Sequence, residues 1–391
     1  MISWQKQTKT VSSYCDNLTH CQRAWIEIDL NKLAHNVRQI KSILSPQTQL
    51  MAVVKADAYG HGAVAIAQTV LQNGASWLAV ATLAEGMELR QAGIEAPILI
   101  LGAINSSEEI QALAYWQLEP TIGNSQQALN FSNVLTNLQQ PLPVHLKLDT
   151  GMSRLGTNWE NAVDFVKFVQ KLPHLKIASI YSHLATADER DRTFMALQHQ
   201  RFHQAIAQLK QLNIIPPKLH IANSAATLSD SSYHHDLVRV GLGIYGLYPS
   251  PHLAQTISLQ PILQVKARIT QVKTIKAGTG VSYGHQFVAE RDTTIAIVGI
   301  GYADGVPRNL SNQLSVIIRD QLVPQIGAIT MDQLILDVSQ MPHIQPGEIV
   351  TLIGNSNHQT ISADDWAKTL NTISWEILCG FRHRLPRIYL H

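Results

Sequence analysis

The chain is poor in charged residues and in long apolar runs, and each shortage excludes a class of protein. Only 15% of its 391 residues are charged, against roughly 25% in an average globular protein. The 30 basic and 28 acidic residues leave a net charge of +2, which provides no field for binding nucleic acid or an anionic membrane. No uninterrupted apolar run approaches the ~18 residues of a membrane-spanning helix.

Cysteine is also scarce. Cys15, Cys21 and Cys379 have neither the spacing of a disulfide framework nor that of a metal site, which predicts a reducing compartment. The first 23 residues are polar and lack the apolar stretch of a signal peptide, so we interpret residues 1–23 as an N-terminal arm and expect a cytoplasmic protein. The hydrophobic content of 45% predicts instead a large core and a buried subunit interface.

Short apolar runs alternate with stretches of helical length through the first two thirds of the chain. Predicted strands lie at 50–56, 77–81, 97–101, 118–122, 144–149, 176–182, 218–222 and 237–241. Stretches at 158–171 and 189–212 are long enough for helices. Eight strands alternating with helices favour a closed, TIM-type (β/α)8 barrel over an open doubly wound sheet. We assign residues 24–255 to this barrel domain.

The pattern changes after residue 255, where a period of two replaces the helical spacing. Further strands are predicted at 262–272, 294–300, 314–318, 334–338 and 348–354, with one helix at 364–370. Residues 256–391 are therefore expected to form a separate, mainly β domain. A strand at 25–30 precedes an amphipathic helix and exceeds the barrel's count of eight, so we expect it in this second domain.

Lys55 lies at the end of the first predicted barrel strand, within the segment AVVKADAYGHG. A charged amine among apolar residues is costly to bury, which leaves two interpretations. A lysine whose pKa is lowered by burial suits Schiff-base chemistry, and at this end of a barrel strand it faces the active-site mouth. Alternatively, the side chain extends from the strand end into water.

A second group of ionisable residues lies in HLKLDTGMSRLG. His145, Lys147 and Asp149 alternate onto one face of a strand, and Arg154 follows in the loop. Such a set predicts a binding or catalytic site, with a structural salt-bridge cluster as the alternative. His183 follows the next strand, and by itself it does not distinguish a catalytic histidine from a structural one.

Small residues suited to phosphate binding follow the last two barrel strands. Ser224 comes after the seventh strand, and Gly241 and Gly243 come after the eighth. Loops at these two places in (β/α)8 barrels often bind phosphate through backbone N–H groups. Arg239 lies within the eighth strand, where a buried arginine requires an anionic or acceptor partner. A reactive lysine, a phosphate site and an inward arginine together suggest pyridoxal phosphate as the cofactor.

Beyond the arm, nearly the whole chain resembles the bacterial alanine racemases, which are fold-type III pyridoxal-phosphate enzymes. AVVKADAYGHG is similar to the family's cofactor-lysine signature, and KLDTGMSRLG, SHLATAD, ANSAAT and VRVGLGIYGL follow in the family's order. VSYGH, GYADGVPR, TMDQ and RLPR continue the match in the second domain. The resemblance implies interconversion of L-alanine and D-alanine by a cytoplasmic homodimer without a metal, supplying D-alanine for peptidoglycan.

The resemblance also implies how the cofactor is held. The residues at the family's cofactor-binding positions are Lys55, Tyr59, His183, Asn223, Ser224, Arg239 and Gly241. Lys55 would carry the cofactor covalently, and Arg239 would face the pyridine nitrogen. Because an arginine can only donate, the nitrogen would stay unprotonated, which we expect to favour return of the proton over transamination.

Racemisation requires a base on each face of the substrate. By the resemblance, Lys55 serves one face and Tyr283 of the partner subunit serves the other, so that each site is shared across a dimer. A tyrosine's ordinary pKa near 10 is too high for a base at neutral pH. The family places His183 between Tyr283 and Arg239, a network that would supply part of the required shift.

The remaining site residues are also implied by the resemblance. Arg154 and the backbone N–H of Met331 would bind the substrate carboxylate. The expected supporting residues are Lys147, which carries a carbamate in many members, Asp332, and the entry-passage residues Asp188, Tyr302 and Arg308. Three positions depart from many members, and they are His383, Thr330 and Ala328.

Three alternatives stay open. The first is a broader or serine-preferring racemase, because motifs do not report pocket size. The second is a barrel-type decarboxylase, although such an enzyme would place an acid where this chain has Arg239. The third is a non-catalytic pyridoxal-phosphate-binding protein, which is typically a lone barrel and would have no use for Tyr283.

Overall fold

A computed structural model describes residues 22–391, and residues 1–21, with Cys15, Cys21 and most of the predicted arm, lie outside the described residues. The described chain divides into two compact units. One is Asp29–Ile262, and the other joins Leu263–Leu390 to the short segment that precedes Asp29. The strand predicted at 25–30, which we expected in the second domain, begins in this short segment and so belongs mainly to the unit that contains Leu263–Leu390. The predicted domain bounds of 24–255 and 256–391 stay a prediction.

The larger unit is a parallel barrel. Strands are numbered along the whole chain, and β1 (Ala24–Asp29) precedes the barrel. The eight main barrel strands are β2 (Gln49–Val53), β3 (Trp77–Val80), β4 (Ile98–Ala103), β5 (Glu119–Ile122), β6 (Leu142–Asp149), β8 (Leu175–Tyr181), β9 (Leu219–His220) and β10 (Leu237–Val240). A two-residue strand, β7 (Thr157–Asn158), lies beside β6. Their spatial order is β10-β2-β3-β4-β5-β6-β8-β9. The bond from Arg239 N–H to Ala222 O, at 3.0 Å, connects the chain beyond β9 with β10. The eight-stranded barrel fold is confirmed.

Helices alternate with the strands, and several of them begin at a side chain that caps the first turn. They are α1 (Leu30–Ser42), α2 (Ala63–Gln72), α3 (Leu83–Gln91), α4 (Ser107–Tyr115), α5 (Ser125–Leu138), α6 (Ala162–Gln170), α7 (Thr193–Gln211) and the short α8 (Ser224–Ser229). Capping boxes begin α3, where Thr82 pairs with Glu85, and α4, where Ser106 pairs with Glu109. Their buried residues, such as Leu113 of α4, form an apolar face toward the strands.

The smaller unit is mainly antiparallel. Its strands are β1, β11 (Leu263–Ile275), β12 (Gly280–Val281), β13 (Phe287–Val288), β14 (Thr293–Val298), β15 (Ser315–Ile318), β16 (Gln321–Pro324), β17 (Leu334–Asp337), β18 (Ile349–Asn355), β19 (Thr360–Ile361) and β20 (Arg387–Leu390), and its helices are α9 (Ala363–Leu370) and α10 (Ser374–Gly380). The long strand β11 pairs with β1, β14 and β18. The alternating burial along its first half matches the period of two read from the sequence. The separate mainly β domain is thereby confirmed.

Among residues 22–391, none of the helices combines the length and the apolar character that crossing a bilayer requires.

Candidate active site

Lys55 stands at the C-terminal end of β2, where the chain enters an unusual turn. Residues 56–59 all have φ between 52° and 55°, which makes one turn of left-handed helix without a glycine. The turn is held by bonds from Ala58 N–H to Val54 O at 2.9 Å and from Ala63 N–H to the Asp57 carboxylate at 2.8 Å. Backbone in this region is strained for residues with a side chain, and such strain is concentrated at functional sites.

The turn carries Tyr59 toward the loop after β10. A Cβ added to Gly241 would lie 2.6 Å from the Tyr59 hydroxyl, so only glycine permits this approach. The Gly241 N–H donates to Ser224 Oγ at 3.0 Å, and the Gly243 N–H points to the same oxygen at 3.5 Å. Two hydroxyls and two backbone donors thus converge after β9 and β10, which is the composition of a phosphate cradle.

Arg239 is buried within β10. Its Nη1 donates to His220 Nδ1 at 2.7 Å, and its Nη2 donates to Ser182 O at 2.8 Å and to His183 Nδ1 at 3.1 Å. None of the described residues accepts a hydrogen bond from Nε. Burial lowers the pKa of Arg239 to about 10, so the guanidinium remains charged at neutral pH, and its Nε–H is available to donate to a ligand.

A directed chain of hydrogen bonds runs from this arginine across the barrel. Because a guanidinium only donates, His220 Nδ1 must accept, and its Nε2–H donates to Ser179 Oγ at 2.8 Å. Ser179 then donates to His145 Nδ1 at 2.6 Å, and His145 Nε2–H donates to the Glu119 carboxylate at 2.7 Å. Burial, followed by the charge of Arg239, holds the pKa of His220 well below its usual range, which agrees with a neutral ring.

The space around Lys147 is cationic. Burial, then the charges of Arg239 and Arg154, lower the pKa of Lys147 to about 8, while Asp149 opposes this shift and Lys55 adds to it. The pKa of His183 is also held well below its usual value, first by burial and then by Arg239 and Lys147. Four cations and one carboxylate act on each other here, an arrangement that favours anionic ligands.

The smaller unit brings three loops together. Tyr283 begins a short 3-10 turn, and Ser282 beside it donates to Ala328 O at 2.7 Å. The Tyr302 N–H donates to Thr330 O at 3.0 Å, and the Ala303 N–H donates to Met331 O at 3.0 Å. Large side chains on these loops are exposed, with 71% for Tyr283, 52% for Met331 and 42% for Tyr302. The Met331 N–H donates to none of the described residues.

Ion pairs between charged side chains hold these loops in place. Asp304 is fully buried and accepts two hydrogen bonds from Arg23, at 2.6 and 2.9 Å. Arg384 lies 3.5 Å from Asp304 and donates to Asp332 at 2.5 Å. The RLPR segment therefore fixes the loop that carries Met331 through an arginine shared by two aspartates.

Comparison with known proteins now identifies the family. Residues 28–249 match the family described as "Alanine racemase, N-terminal domain", and residues 262–389 match "Alanine racemase, C-terminal domain". The chain belongs to the alanine racemase family. It is therefore an enzyme of the kind that the family's motifs had predicted.

Relatives cover nearly all of this alanine racemase family member. The alanine racemase of a Nostoc strain is 66% identical over 94% of this chain and 96% of its own length. That of a Synechocystis strain is 62% identical over 94% of this chain and 99% of its own.

Solved structures of alanine racemases also match this chain over nearly its full length. The alanine racemase of Bacillus anthracis "with bound L-Ala-P" has a TM-score of 0.89 at 33% identity and covers 95% of each chain. That of Bartonella henselae "with covalently bound pyridoxal phosphate" has a TM-score of 0.84 at 31% identity, covering 94% of this chain and all of its own.

The structure places the other residues predicted from the family's motifs as follows. Asn223 caps α8, since its side chain accepts from the Ala226 N–H at 3.0 Å. Asp188 and Arg308 are exposed, each in its own unit, and so is His383. Each of these roles in an alanine racemase site stays a prediction.

Sequence reasoning missed the residues behind the site. Ser179, His220 and Glu119 link Arg239 to a carboxylate, yet they lie on three different strands with no shared spacing. The one available signal was polar residues in otherwise apolar barrel strands, which drew attention to His145 but not to its neighbours.

Proposed function

We propose that this enzyme interconverts L-alanine and D-alanine with pyridoxal phosphate, by a two-base mechanism in a cytoplasmic homodimer. Its product would supply D-alanine for peptidoglycan. The observation that carries the proposal is the meeting of Lys55 with a cationic cluster and a phosphate cradle at one end of the barrel.

The described residues fit the cofactor. Ser224 Oγ, the Gly241 N–H and the Tyr59 hydroxyl would hold the phosphate, whose charge the surrounding cations favour. The Nε of Arg239 would donate to the pyridine nitrogen, and Lys55 would carry the covalent bond. When bound, pyridoxal phosphate supplies the electron withdrawal that makes the substrate Cα–H acidic.

Arg239 would set the reaction outcome because it cannot transfer a proton to the pyridine nitrogen. A guanidinium has no proton to release at neutral pH, and that of Arg239 is held in place by hydrogen bonds to His220, Ser182 and His183. The nitrogen it faces would stay unprotonated, which limits electron withdrawal and favours return of the proton to Cα. Arg239→Glu should increase transamination relative to racemisation, and an unchanged ratio would contradict this role.

Two residues would exchange the Cα proton. Lys55 Nζ would act on one face, and Tyr283 Oη of the partner subunit would act on the other. The tautomer of His183 supports this assignment, because its Nδ1 accepts from Arg239 and the ring proton of the neutral form is therefore on Nε2. That N–H is available to stabilise a deprotonated tyrosine, which lowers the energy needed to make Tyr283 a base.

The substrate carboxylate would be oriented by Arg154 and the Met331 N–H. Arg154 is exposed, and with Asp149 and Ser153 it lines a cavity in the barrel unit. A carbamate on Lys147 would supply the negative charge that holds the arginine in place. Asp332 would keep the Met331 loop in position through Arg384. Asp188, Tyr302 and Arg308 would line the entry passage.

The test is covalent trapping together with an activity assay. Borohydride reduction of the loaded enzyme, followed by peptide mapping, should find the cofactor on Lys55 and not on Lys147, and Lys55→Ala should show neither label nor activity. Purified enzyme should form D-alanine from L-alanine faster than it racemises L-serine. A label elsewhere would overturn the assignment of Lys55, faster turnover of L-serine would indicate the broader racemase, and release of carbon dioxide would indicate a decarboxylase.

A further inference from the structure

Three histidines of the barrel unit converge at a place that the proposed reaction does not use. His199 and His203 lie one turn apart on α7, and His235 lies just before β10. The Nε2 atoms of His199 and His203 are 3.0 Å apart, and those of His199 and His235 are 3.3 Å apart. The ligand nitrogens of all three lie within 4.8 Å of one another.

The cluster is distant in the fold from the cofactor residues. His235 precedes the N-terminal end of β10, whereas Gly241 follows the C-terminal end of the same strand. Parallel barrels place their active sites at the C-terminal ends, so the histidines belong to the opposite end of the strand. An independent explanation is needed for them.

Hydrogen bonding alone explains the cluster poorly. A neutral imidazole nitrogen has either one proton or one lone pair, and His199 Nε2 contacts two other nitrogens at once. It can donate to one neighbour, or share a single lone pair between two. One ion at the centre of the three nitrogens would instead use all three lone pairs.

The two shorter nitrogen–nitrogen distances, 3.0 and 3.3 Å, are close to those around a tetrahedral ion. With Zn–N bonds of about 2.0–2.1 Å, two ligands of a tetrahedral zinc lie about 3.3 Å apart. Histidines at positions i and i+4 of a helix, as in α7, present both rings on one face. His203 is exposed, which leaves the fourth position open to water.

The surroundings hold the rings in place and keep them neutral. Tyr233 packs 4.3 Å from His199 and Phe202 packs 5.6 Å from His235, measured between ring centroids, and both are buried. His235 has a φ of 46°, a conformation that is strained for a residue with a side chain. Burial, followed by neighbouring histidines, lowers the pKa of both His199 and His235 to about 4, so that at neutral pH they are in the form that binds metals.

We propose that His199, His203 and His235 form a binding site for one divalent transition ion of the zinc class, connecting α7 to the segment before β10. Nitrogen ligands and three-coordinate protein binding with a solvent position suit zinc and cobalt rather than magnesium or calcium. The ion would act as a cross-link within the barrel and would take no part in racemisation.

The first test is metal binding by the cofactor-loaded enzyme without a histidine tag. Calorimetric titration with Zn²⁺ should give one equivalent per chain, and His203→Gln should lose it. His343→Gln is the matched control, since His343 is exposed in the smaller unit, and it should bind as the unaltered enzyme does. Absence of stoichiometric binding, or equal binding by His203→Gln, would overturn the proposal.

Cobalt distinguishes this site from binding near the cofactor. Co²⁺ bound to the unaltered enzyme should show the intense visible absorption of a tetrahedral complex, and His235→Gln should abolish it. Zinc should raise the melting temperature of the unaltered enzyme but not that of His203→Gln, while alanine racemisation by His203→Gln remains unchanged. An octahedral spectrum, or an equal thermal shift in His203→Gln, would show that the three histidines are not the ligands.

Discussion

Two side chains at the barrel mouth are buried cations without a carboxylate partner in the described part of the chain. Lys147 and Arg239 are only 5% and 4% exposed. Both lie over the ring of Tyr181, whose centroid is 5.4 Å from Lys147 Nζ and 5.2 Å from Arg239 Cζ. An aromatic face offsets part of the cost of burying two like charges, and anionic ligands would offset the rest.

Lys147 is expected to react with carbon dioxide in a pH-dependent way. Only the neutral amine forms a carbamate, and with a pKa of about 8 the neutral fraction at pH 7 is roughly a tenth and rises to most of the population by about pH 9. Carbon-13 NMR with labelled bicarbonate should therefore show a carbamate signal that grows across this range. Lys147→Ala should lack the signal, and its persistence in that variant would assign the modification elsewhere.

Ser179 should matter for stability because it is the middle of the directed hydrogen-bond chain. Ser179→Ala leaves the His220 N–H and the His145 lone pair unpaired in the core, at about 1–3 kcal/mol for each buried group. We expect the free energy of unfolding to fall by about 2–4 kcal/mol in urea denaturation. Ser42→Ala, which removes an exposed hydroxyl on α1, should stay within about 0.5 kcal/mol. Equal effects of the two would refute the directed chain.

At the scale of elements, the left-handed turn after β2 is what brings Tyr59 to Gly241. Each non-glycine residue in this conformation costs roughly 1–2 kcal/mol, and four occur in succession. Interactions with Glu85, which accepts from the Ala56 N–H at 2.7 Å, help to hold the turn. The sequence contains no glycine or asparagine at 56–59 to predict it, because the conformation is imposed by packing.

Replacing an exposed alanine by glycine should change the stability of the protein in opposite directions in this turn and in an ordinary helix. Ala56 is exposed with a φ of 54°, so Ala56→Gly should stabilise the protein by about 1 kcal/mol. Ala196 is exposed within the right-handed helix α7, so Ala196→Gly should destabilise it by about 1 kcal/mol. Paired thermal denaturation curves check the signs, and a loss of stability in both would show that the turn carries no such strain.

Regular elements were predictable from sequence and irregular ones were not. Strands such as β6 and β11 have enough residues to show a continuous apolar run or a period of two. The two-residue strands β12 and β19 are too short to show any period. In the site, Lys55 and Arg239 stood out as charges within apolar strands, whereas Ser179 is one small polar residue whose importance comes from neighbours on other strands.

At the scale of the whole molecule, the smaller unit exposes aromatic and apolar side chains on loops that are firmly braced. Tyr283, Tyr302 and Met331 are all more than two fifths exposed. The loops beneath them are tied by backbone hydrogen bonds and by Arg384. Rigid loops that present large apolar side chains to solvent are typical of protein interfaces, which supports a subunit contact at Tyr283.

Shared sites lead to a quantitative expectation for mixed dimers. Lys55→Ala and Tyr283→Phe should each be inactive, because each removes one of the two proposed bases. When they are co-expressed, half of the dimers are mixed, and one of the two sites in each has both Lys55 and Tyr283. The purified mixture should therefore recover about a quarter of the activity of the unaltered enzyme.

One control mixture and one purification decide whether such recovery means shared sites. Tyr283→Phe co-expressed with the double variant Lys55→Ala, Tyr283→Phe should recover nothing, because no subunit then supplies Tyr283. Isolation of the mixed dimer with two different affinity tags removes the parental species and should raise its activity to about half that of the unaltered enzyme. If each site were built from a single chain, the mixed dimer would contain no complete site and would be as inactive as its parents.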